Sequence, residues 1–182
     1  MARPGAEHSL AGLDPAFAAF VADSSPRLLR SAYLLSGDRE AAEDLLQVTL
    51  LRTGRRWEAA AEAPEAYAHR VLVNLLHDRR RLRRRRPVEH QLDTTAAEHA
   101  GGVDDAARAV DRMALLDAVR GLPRRQQEVL VLRFFADLSV SETAAAIGAT
   151  PGTVKTHTSR ALAALRRSLA DPQSPTIIKK DR

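Results

Sequence analysis

The stretch LSVSETAAAIGATPGTVKTHTSR, Leu138–Arg160, decides the fold of the C-terminal part of this chain. Ser139 and Glu142 have the S-x-x-E spacing in which each side chain satisfies a free backbone N–H at the start of a helix. Gly148 can adopt the left-handed conformation that ends a helix, and Thr150 can cap a second one ahead of a proline. The stretch therefore predicts two short helices joined by a tight turn.

The second of these helices has two different faces. Its apolar face is formed by Val154, Thr158, Ala161, Leu162 and Leu165, and its polar face by Thr153, Lys155, Thr156, Ser159 and Arg160. This layout is typical of a helix-turn-helix, whose second helix enters the major groove of DNA. On such a helix Lys155 and Arg160 could reach guanine acceptors or phosphates. The alternative is a plain helical hairpin with a solvated polar face.

The composition favours helix and excludes several kinds of site. Hydrophobic residues make up 45% of the 182 residues but aromatic ones only 4%, so the cores must consist mainly of Leu, Val and Ala. The chain has no cysteine, which excludes disulfides, a thiol nucleophile and zinc held by cysteine. There is no apolar run long enough to cross a bilayer and no signal-peptide core, so we expect the protein in the cytoplasm.

Charge is distributed in three blocks. Basic residues outnumber acidic ones by 15 to 11 in residues 1–86 and by 12 to 7 in residues 111–182, whereas residues 87–110 carry 1 basic and 5 acidic residues. Two basic bodies therefore flank an acidic connector. Basic bodies suit a polyanionic partner, and an acidic connector would not compete for its phosphates.

Helical periodicity and helix-breaking residues divide the chain into parts. No strand alternation of useful length is present, so we predict an all-α protein of two small helical domains joined by a flexible linker, with the helix-turn-helix in the second domain. The predicted parts are an N-terminal tail at residues 1–12, a first domain at 13–86, an acidic flexible linker at 87–108, a second domain at 109–170 and a C-terminal tail at 171–182.

Three helices are predicted in the first domain. The first begins at Pro15, and a break at Gly37 separates it from the second, which covers Arg39–Trp57. After an expected loop at Ala59–Ala63, the third covers Pro64–Arg86. One face of the second helix is expected to carry Ala41, Leu45, Val48 and either Leu51 or Arg52.

The third helix ends in RRRLRRRR, seven arginines in the eight residues Arg79–Arg86. Mutual repulsion would fray such an end unless anions compensate, and nucleic-acid phosphate is the natural counter-charge; a solvated helix end is the alternative. Ala68, Val71, Leu72 and Leu75 are spaced to face a core, and the opposite face carries Arg70, Asn74, His77 and Arg81. Together with Arg80 and Arg84, these four are the candidate contacts for bases and phosphates. His69 and His77 lack the i, i+4 spacing of a helical metal pair, so both are expected on the surface or facing DNA, with no metal site.

Three motifs carry a resemblance to a known family. They are AAEDLLQVTLLRTGRRW at Ala41–Trp57, PEAYAHRVLVN at Pro64–Asn74, and LPRRQQEVLVLRFF at Leu122–Phe135, followed by the helix-turn-helix. Over about residues 15–170 the chain resembles sigma factors of bacterial RNA polymerase, most of all the extracytoplasmic-function (group IV) class of the actinobacterial sigma-E type. Members of that class keep two promoter-reading domains and a linker.

The resemblance implies a factor that binds polymerase core and directs initiation at specific promoters, without catalysis, cofactor or metal. Its first domain would correspond to sigma domain 2 and its second to sigma domain 4. The residues implied to contact the coiled coil of the polymerase's largest subunit are Asp44, Gln47, Arg52 and Arg55. The third helix and the loop Glu58–Ala63 before it would recognise and open the −10 element, with Trp57 and Tyr67 as candidates for stacking on unpaired bases.

The second domain would read the −35 element, and the polymerase flap is a further contact that the resemblance implies. The contacts implied on its recognition helix are Thr153, Lys155, Thr156, His157, Ser159 and Arg160. The resemblance thus implies RNA polymerase core and promoter DNA as partners, and no membrane insertion. Most relatives are also regulated by an anti-sigma factor, although no docking motif for one is readable here.

The alternative functions explain fewer of the sequence features than a sigma factor does. The segment GTVKTH also resembles the helix-turn-helix of LuxR-type regulators, which act without being polymerase subunits, but their receiver domains alternate strands and helices and residues 1–110 do not. A helical RNA-binding or adaptor protein is a third alternative, with the arginine run as its RNA contact. An enzyme is disfavoured because there is no Gly-rich phosphate loop, no H-x-x-x-H pair and no nucleophile with a base.

Overall fold

A computed structural model of the chain describes residues 14–85 and 114–170, without the side chains of residues 83–85. Within these residues there are eight helices and no strand, which confirms the all-α prediction. The helices are α1 (Pro15–Ser36), α2 (Arg39–Gly54), α3 (Trp57–Ala60), α4 (Pro64–Arg85), α5 (residues 114–120), α6 (Arg124–Phe134), α7 (Val140–Ile147) and α8 (Pro151–Ala170). The predicted tails at 1–12 and 171–182 and the predicted linker at 87–108 lie outside the described residues. None of the described helices is long and apolar enough to span a membrane.

The boundary between α1 and α2 is built from caps and one left-handed glycine. Asp14 Oδ1 accepts a hydrogen bond from Ala16 N at 2.8 Å at the start of α1. Gly37 ends this helix with a φ of 79°, and Asp38 caps α2. Because glycine adopts this conformation without a steric cost, the chain reverses here and α2 packs back against α1. The predicted break at Gly37 is confirmed.

The face predicted to carry Ala41, Leu45 and Val48 is buried only in the first half of α2. Val48 is 38% exposed and Leu51 is 62% exposed, while Thr49 and Thr53 are buried in their place. The Thr53 hydroxyl donates to the Thr49 carbonyl at 2.9 Å, so this polar group is satisfied inside the domain without water. Val48 and Leu51 therefore lie on the surface, although the sequence pattern grouped Val48 with the buried Ala41 and Leu45.

The second helix also ends earlier than predicted. It stops at Gly54, and Trp57 begins the separate short helix α3, which occupies the start of the expected loop at Ala59–Ala63. A Cβ at Gly54 would lie 2.8 Å from Cζ of Phe17, so only glycine lets the chain pass this close to the ring. The Trp57 ring packs against Phe17 and Phe20, with centroids 5.1 and 5.4 Å apart. Trp57 thus packs against the core of the first domain.

Helix α4 is buried on two faces. Ala68 and Leu72 of the predicted core face are fully buried, and so is Val73, one position further along. Val73 lies in a cluster with Val129 of α6 and Ala144 of α7. A helix buries a second face only where another element covers it. The first domain covers one side of α4, and the second domain covers the other.

His69 is buried, which corrects the expectation that it lies on the surface or faces DNA. Its side chain is 1% exposed, with Nδ1 at 2.9 Å from the Glu65 carbonyl oxygen and Nε2 at 3.2 Å from Ser31 Oγ. Burial lowers the pKa of His69 because desolvation disfavours the charged imidazolium. Both ring nitrogens are used within the first domain, so His69 is a structural residue.

The second domain contains the predicted helix-turn-helix with its predicted caps. Ser139 Oγ accepts from Glu142 N at 3.1 Å, and Ser139 N donates to Glu142 Oε2 at 2.7 Å. These bonds lower the pKa of Glu142 because they favour the carboxylate. Gly148 ends α7 with a φ of 65°, and Thr150 Oγ1 accepts from Thr153 N at 3.2 Å at the start of α8. Both helices and the turn between them are confirmed.

The two domains share one hydrophobic core, a contact that no sequence pattern predicted. Leu35 and Leu72 of the first domain belong to the same cluster of buried residues as Val119 and Val131 of the second. Helix α4 packs against α7, and α1 packs against α6. We call this the closed arrangement, because it brings the helix-turn-helix directly onto α4.

Candidate nucleic-acid and polymerase interfaces

Helix α8 presents the predicted −35 contacts on an exposed face. Val154 and Ala161 are fully buried and anchor the helix to the second domain. The polar face of α8 is exposed and consists of Thr153, Lys155, Thr156, Ser159 and Arg160. These residues span about two helical turns. Two cations and three hydroxyl groups on one solvent-facing surface are the donors and acceptors that base edges and phosphates require.

His157 differs from the other predicted −35 contacts. Its side chain is only partly exposed. Its Nδ1 is buried and has no hydrogen-bond partner among the described residues. Of the six candidates on α8, His157 is therefore the least accessible to DNA.

Helix α2 carries a mixed polar and apolar stripe on its exposed side. Asp44 and Gln47 are exposed, and the exposed Val48 and Leu51 lie beside them. The i, i+3, i+4, i+7 spacing places all four on one helix face, here called the α2 stripe. Exposed apolar side chains flanked by polar ones are typical of a protein-binding surface. Sequence analysis found Asp44 and Gln47 through the family resemblance but did not find that their two apolar neighbours are exposed.

Arg52 and Arg55 lie at a different place from the two polar residues with which they were grouped. The residues that line this place, a cleft of about 300 Å³, are Arg52, Arg55, Arg56, Tyr67, Val71 and Asn74. We call it the α2–α4 cleft, since α2 packs against α4 here. The structure thus joins two residues expected at the polymerase with two, Tyr67 and Asn74, expected at the −10 DNA. Guanidinium groups, a phenol ring and an amide around one opening could hold a phosphate and an unpaired base.

The candidate −10 contacts on α4 fall into two groups. Arg70, Asn74 and Arg81 are exposed to solvent. The side chains of His77 and Arg80 are each 27% exposed, because both contact the second domain. The side chain of the sixth candidate, at position 84, lies outside the described part of the chain. Only part of the predicted DNA-binding face is therefore open in the closed arrangement.

A buried glutamate joins α4 to α6, and sequence analysis did not find it. Glu128 is 1% exposed. Its Oε1 lies 2.8 Å from His77 Nε2, 3.5 Å from Arg80 Nη1 and 3.1 Å from Arg124 Nε, and its Oε2 lies 3.1 Å from Arg125 Nη1. Buried charges in proteins are paired, and here four basic side chains surround one carboxylate. His77, expected on the surface or facing DNA, instead binds the second domain.

The sequence contains a weak signal for Glu128. It follows Arg124 and Arg125 by four and three positions, the spacing of ion pairs on a helix. It also directly precedes the apolar run Val129–Leu132, where a glutamate is unusual because this side chain is almost never buried without a partner. The two partners on α4 could not be found in this way, since they lie 51 and 48 positions earlier in the chain.

Comparison with known proteins matches two parts of the chain to described families. Residues 20–86 match the family described as sigma-70 region 2, and residues 112–165 match sigma-70, region 4. The RNA polymerase sigma-E factor of Streptomyces avermitilis is 39% identical over 155 residues, which cover 84% of this chain and 84% of that protein. The extracytoplasmic-function RNA polymerase sigma factor SigL of Mycobacterium tuberculosis is 31% identical over 147 residues, which cover 79% and 83%.

A solved structure shares the fold. It is the sigma factor RpoE of Bartonella quintana, in complex with the anti-sigma factor NepR; the match has a TM-score of 0.72 at 24% identity and covers 85% of this chain and 96% of that one. Region 2 followed by region 4 is also the order in which the three motifs occur, and it does not favour a LuxR-type regulator. The chain therefore belongs to the extracytoplasmic-function sigma factors of bacterial RNA polymerase.

Proposed function

We propose that this sigma factor uses three surfaces to direct RNA polymerase to its promoters. The α2 stripe binds the polymerase, the α2–α4 cleft and the exposed part of α4 bind the −10 element, and the polar face of α8 binds the −35 element. The protein acts in the cytoplasm and changes where the polymerase starts, without a catalytic reaction or a cofactor of its own. The observation that carries the proposal is the polar face of α8, which stands exposed on a helix whose opposite side is fixed in the core.

At the −35 element, α8 supplies two kinds of contact. The side chains of Lys155 and Arg160 are long enough to reach guanine O6 and N7 in the major groove, and a bidentate arginine is the commonest specific contact of this kind. Thr156 and Ser159 are short donors and acceptors that adapt to several bases. The proposal therefore assigns most of the −35 specificity to the two cations.

At the −10 element, an unpaired base enters the α2–α4 cleft. Tyr67 offers a ring for stacking, Asn74 offers an amide for the base edge, and Arg52 and Arg55 hold the adjoining phosphates. Unpairing costs a few kcal/mol per base, so the chain is not expected to open DNA alone. Held on the polymerase, its second DNA contact becomes intramolecular, which offsets that cost.

At the polymerase, the α2 stripe is the proposed contact with the coiled coil of the largest subunit. Replacing Asp44 and Gln47 together by Ala should weaken core binding by about 1 kcal/mol or more, as expected for residues at the centre of an interface. Fluorescence anisotropy of the labelled chain with core enzyme measures this. Glu40→Ala, an exposed acidic residue near the start of the same helix, is the matched control. Unchanged affinity in the double variant would place the polymerase contact elsewhere.

Regulation by an anti-sigma factor is also part of the proposal. The Bartonella quintana sigma factor was solved in complex with one, and a partner of that class is proposed here on the shared fold. Affinity purification of the full chain from its own bacterium would identify such a protein. Its addition should suppress transcription by the reconstituted enzyme.

Run-off transcription tests the function as a whole. A pool of templates with randomised promoters is transcribed by bacterial core polymerase with and without the chain. Transcripts that depend on the chain should share two sequence motifs at a fixed spacing. No dependent transcript, together with duplex binding by the chain alone, would favour a regulator that is not a polymerase subunit.

A further inference from the structure

We infer that a second cleft of the structure is a binding site for a small oligophosphate, a ligand with two or more directly linked phosphate groups. This cleft has a volume of about 470 Å³, and its lining residues belong to α4 and α6. We call it the basic cleft, and the residues that line it are His77, Arg80, Arg81, Arg124 and Arg125. A small-molecule site goes beyond the proposed binding of DNA and polymerase.

The charge of the lining indicates an anionic ligand. Every described residue that lines the basic cleft is basic. Arg124 and Arg125 alone carry two positive charges against the one negative charge of Glu128, which both of them contact. A cleft lined by one sign of charge concentrates the opposite charge from solution. Phosphate suits these residues, because the planar fork of a guanidinium matches two of its oxygens with parallel hydrogen bonds.

Glu128 fixes the basic groups without filling the cleft. Its side chain is 1% exposed. Its contact with Arg124 uses Nε, at 3.1 Å, so the two terminal nitrogens of that guanidinium have no other partner within residues 14–85 and 114–170. Arg125 is anchored twice through Nη1, to Glu128 Oε2 and to the Ile147 carbonyl oxygen, both at 3.1 Å. A side chain that is already held in place loses less entropy when its remaining donors bind a ligand.

The close spacing of the basic groups favours linked phosphates over a nucleic-acid strand. His77 Nε2 and Arg124 Nε lie 2.8 and 3.1 Å from the same oxygen, Glu128 Oε1. Basic groups of two helices thus converge around one carboxylate. The phosphates of an oligophosphate share bridging oxygens, so several negative charges fit into so small a region, whereas a sugar separates successive phosphates of a nucleic acid. Such convergent charge-assisted contacts are the strong ones.

A comparison with the α2–α4 cleft disfavours recognition of a base. That cleft contains the ring of Tyr67 and the amide of Asn74, and unpaired bases are held by stacking and by hydrogen bonds to their edges. The described lining of the basic cleft has no amide, and its one ring, the imidazole of His77, is held by Glu128. We therefore expect the basic cleft to bind inorganic oligophosphates and the phosphate chain of a nucleotide equally well.

Calorimetric titration of the full chain tests the inference without polymerase or promoter. The probes are inorganic triphosphate, adenosine triphosphate and orthophosphate, each without magnesium and at about physiological ionic strength. Triphosphate should bind one site per chain, about tenfold or more tightly than orthophosphate, because it makes more charge-assisted contacts. Adenosine triphosphate should bind about as tightly as triphosphate. No binding, equal affinity for orthophosphate, or a strong preference for the nucleotide would overturn the inference.

Single variants locate the site. Arg124→Ala removes a lining guanidinium that is not a proposed contact for DNA or polymerase, and it should weaken triphosphate binding by about tenfold or more. Arg166→Ala, at an exposed arginine of α8, removes the same charge elsewhere and should bind like the unmodified chain. Because Arg124 also pairs with a buried carboxylate, circular dichroism checks its fold. Arg81→Ala, at a side chain 70% exposed, is a second cleft variant that should also weaken binding. Equal affinity in all three variants would overturn the inference.

A bound oligophosphate should affect one of the two proposed DNA contacts. The three α4 residues of the basic cleft are also candidate −10 contacts, a step that rests on the proposed function. At matched ionic strength, saturating triphosphate should weaken binding of a single-stranded −10 oligonucleotide by about tenfold and leave binding of a −35 duplex unchanged. Fluorescence anisotropy measures both. Equal weakening of both would contradict competition at this cleft. A chain that binds neither DNA would contradict the proposed function, while the calorimetry would still decide the ligand site.

Discussion

The helix-turn-helix and α4 carry the two proposed DNA-binding surfaces, but they are held in place differently. In the helix-turn-helix, the caps and the left-handed glycine that position the recognition helix all lie within residues 138–160. Helix α4 depends on the core of its own domain, on two clusters shared with the second domain, and on Glu128. The difference teaches that a polar helix face can bind another part of the same chain. Signals that lie close together in the sequence predict the caps of a helix, but they do not predict such distant contacts.

The largest expected effect concerns the core on which α4 rests. Leu72→Ala should lower the free energy of unfolding by about 2–5 kcal/mol, because a fully buried leucine leaves a cavity when truncated. Urea denaturation followed by circular dichroism measures this. Leu82→Ala, at a residue 64% exposed on the same helix, should change stability by less than about 0.5 kcal/mol. Similar values for the two variants would mean that α4 is not held as described.

The next largest effect concerns an arginine on the recognition helix of the helix-turn-helix. Arg160→Ala should cost about 1–3 kcal/mol of −35 binding and relax the preference at one position, as expected for loss of a direct base contact. Competition binding against a panel of single-base promoter variants measures both. Arg166→Ala, an exposed arginine later on the same helix, should leave the preference unchanged. An equal loss on every promoter would make Arg160 a phosphate contact.

A smaller effect should follow from removing one local cap. Ser139→Ala should reduce stability by about 1 kcal/mol, because Glu142 N loses its hydrogen-bond acceptor at the start of α7. Thermal unfolding of the full chain measures this. Ser159→Ala, an exposed serine on the polar face of α8, removes the same hydroxyl and should leave stability unchanged. If both variants were equally stable, the caps would contribute less to this motif than its geometry suggests.

The smallest expected effect depends on pH and belongs to α4. The pKa of His69 lies below its ordinary value of 6.5 in the folded chain, so the unfolded chain takes up a proton more readily. The contribution of His69 to the free energy of unfolding should therefore be fully present above about pH 6.5, and it should decrease as the pH drops toward the lowered pKa. His69→Gln, which keeps a donor and an acceptor, should reduce this slope in denaturation curves recorded between about pH 8 and 5.5. An unchanged slope in the variant would assign it to another group.

Much of the helix-turn-helix could be predicted because its determinants are neighbours in the sequence. Ser139, Glu142, Gly148 and Thr150 each act on a backbone group within a few positions, so spacing alone indicates their partners. The exposed face of α8 follows from the same periodicity. Its role in reading the −35 element remains a prediction, since it came from the family resemblance and the helix-turn-helix pattern.

The surroundings of α4 could not be predicted in the same way. The pattern found Ala68, in the core of the first domain, and Leu72, in the cluster shared by both domains, but not Val73, which packs against the second domain. It took His69 and His77 for surface or DNA-facing residues, because a polar residue on a helix gives no sign of a partner far along the chain. On α2 the pattern grouped Val48 with Ala41 and Leu45 and missed the buried Thr49, since hydrophobicity cannot show which side of a helix its neighbours will cover.

Gly54 lies between Arg52 and Arg55, two of the residues that line the α2–α4 cleft. Gly54 passes so close to Phe17 that a Cβ would overlap the ring, and Trp57 and Phe20 pack around that ring. A larger residue would shift the end of α2, and with it the guanidinium groups at the rim of the cleft. Promoter preference could then drift during evolution through a residue that never meets DNA, while every side chain that does meet it stays the same.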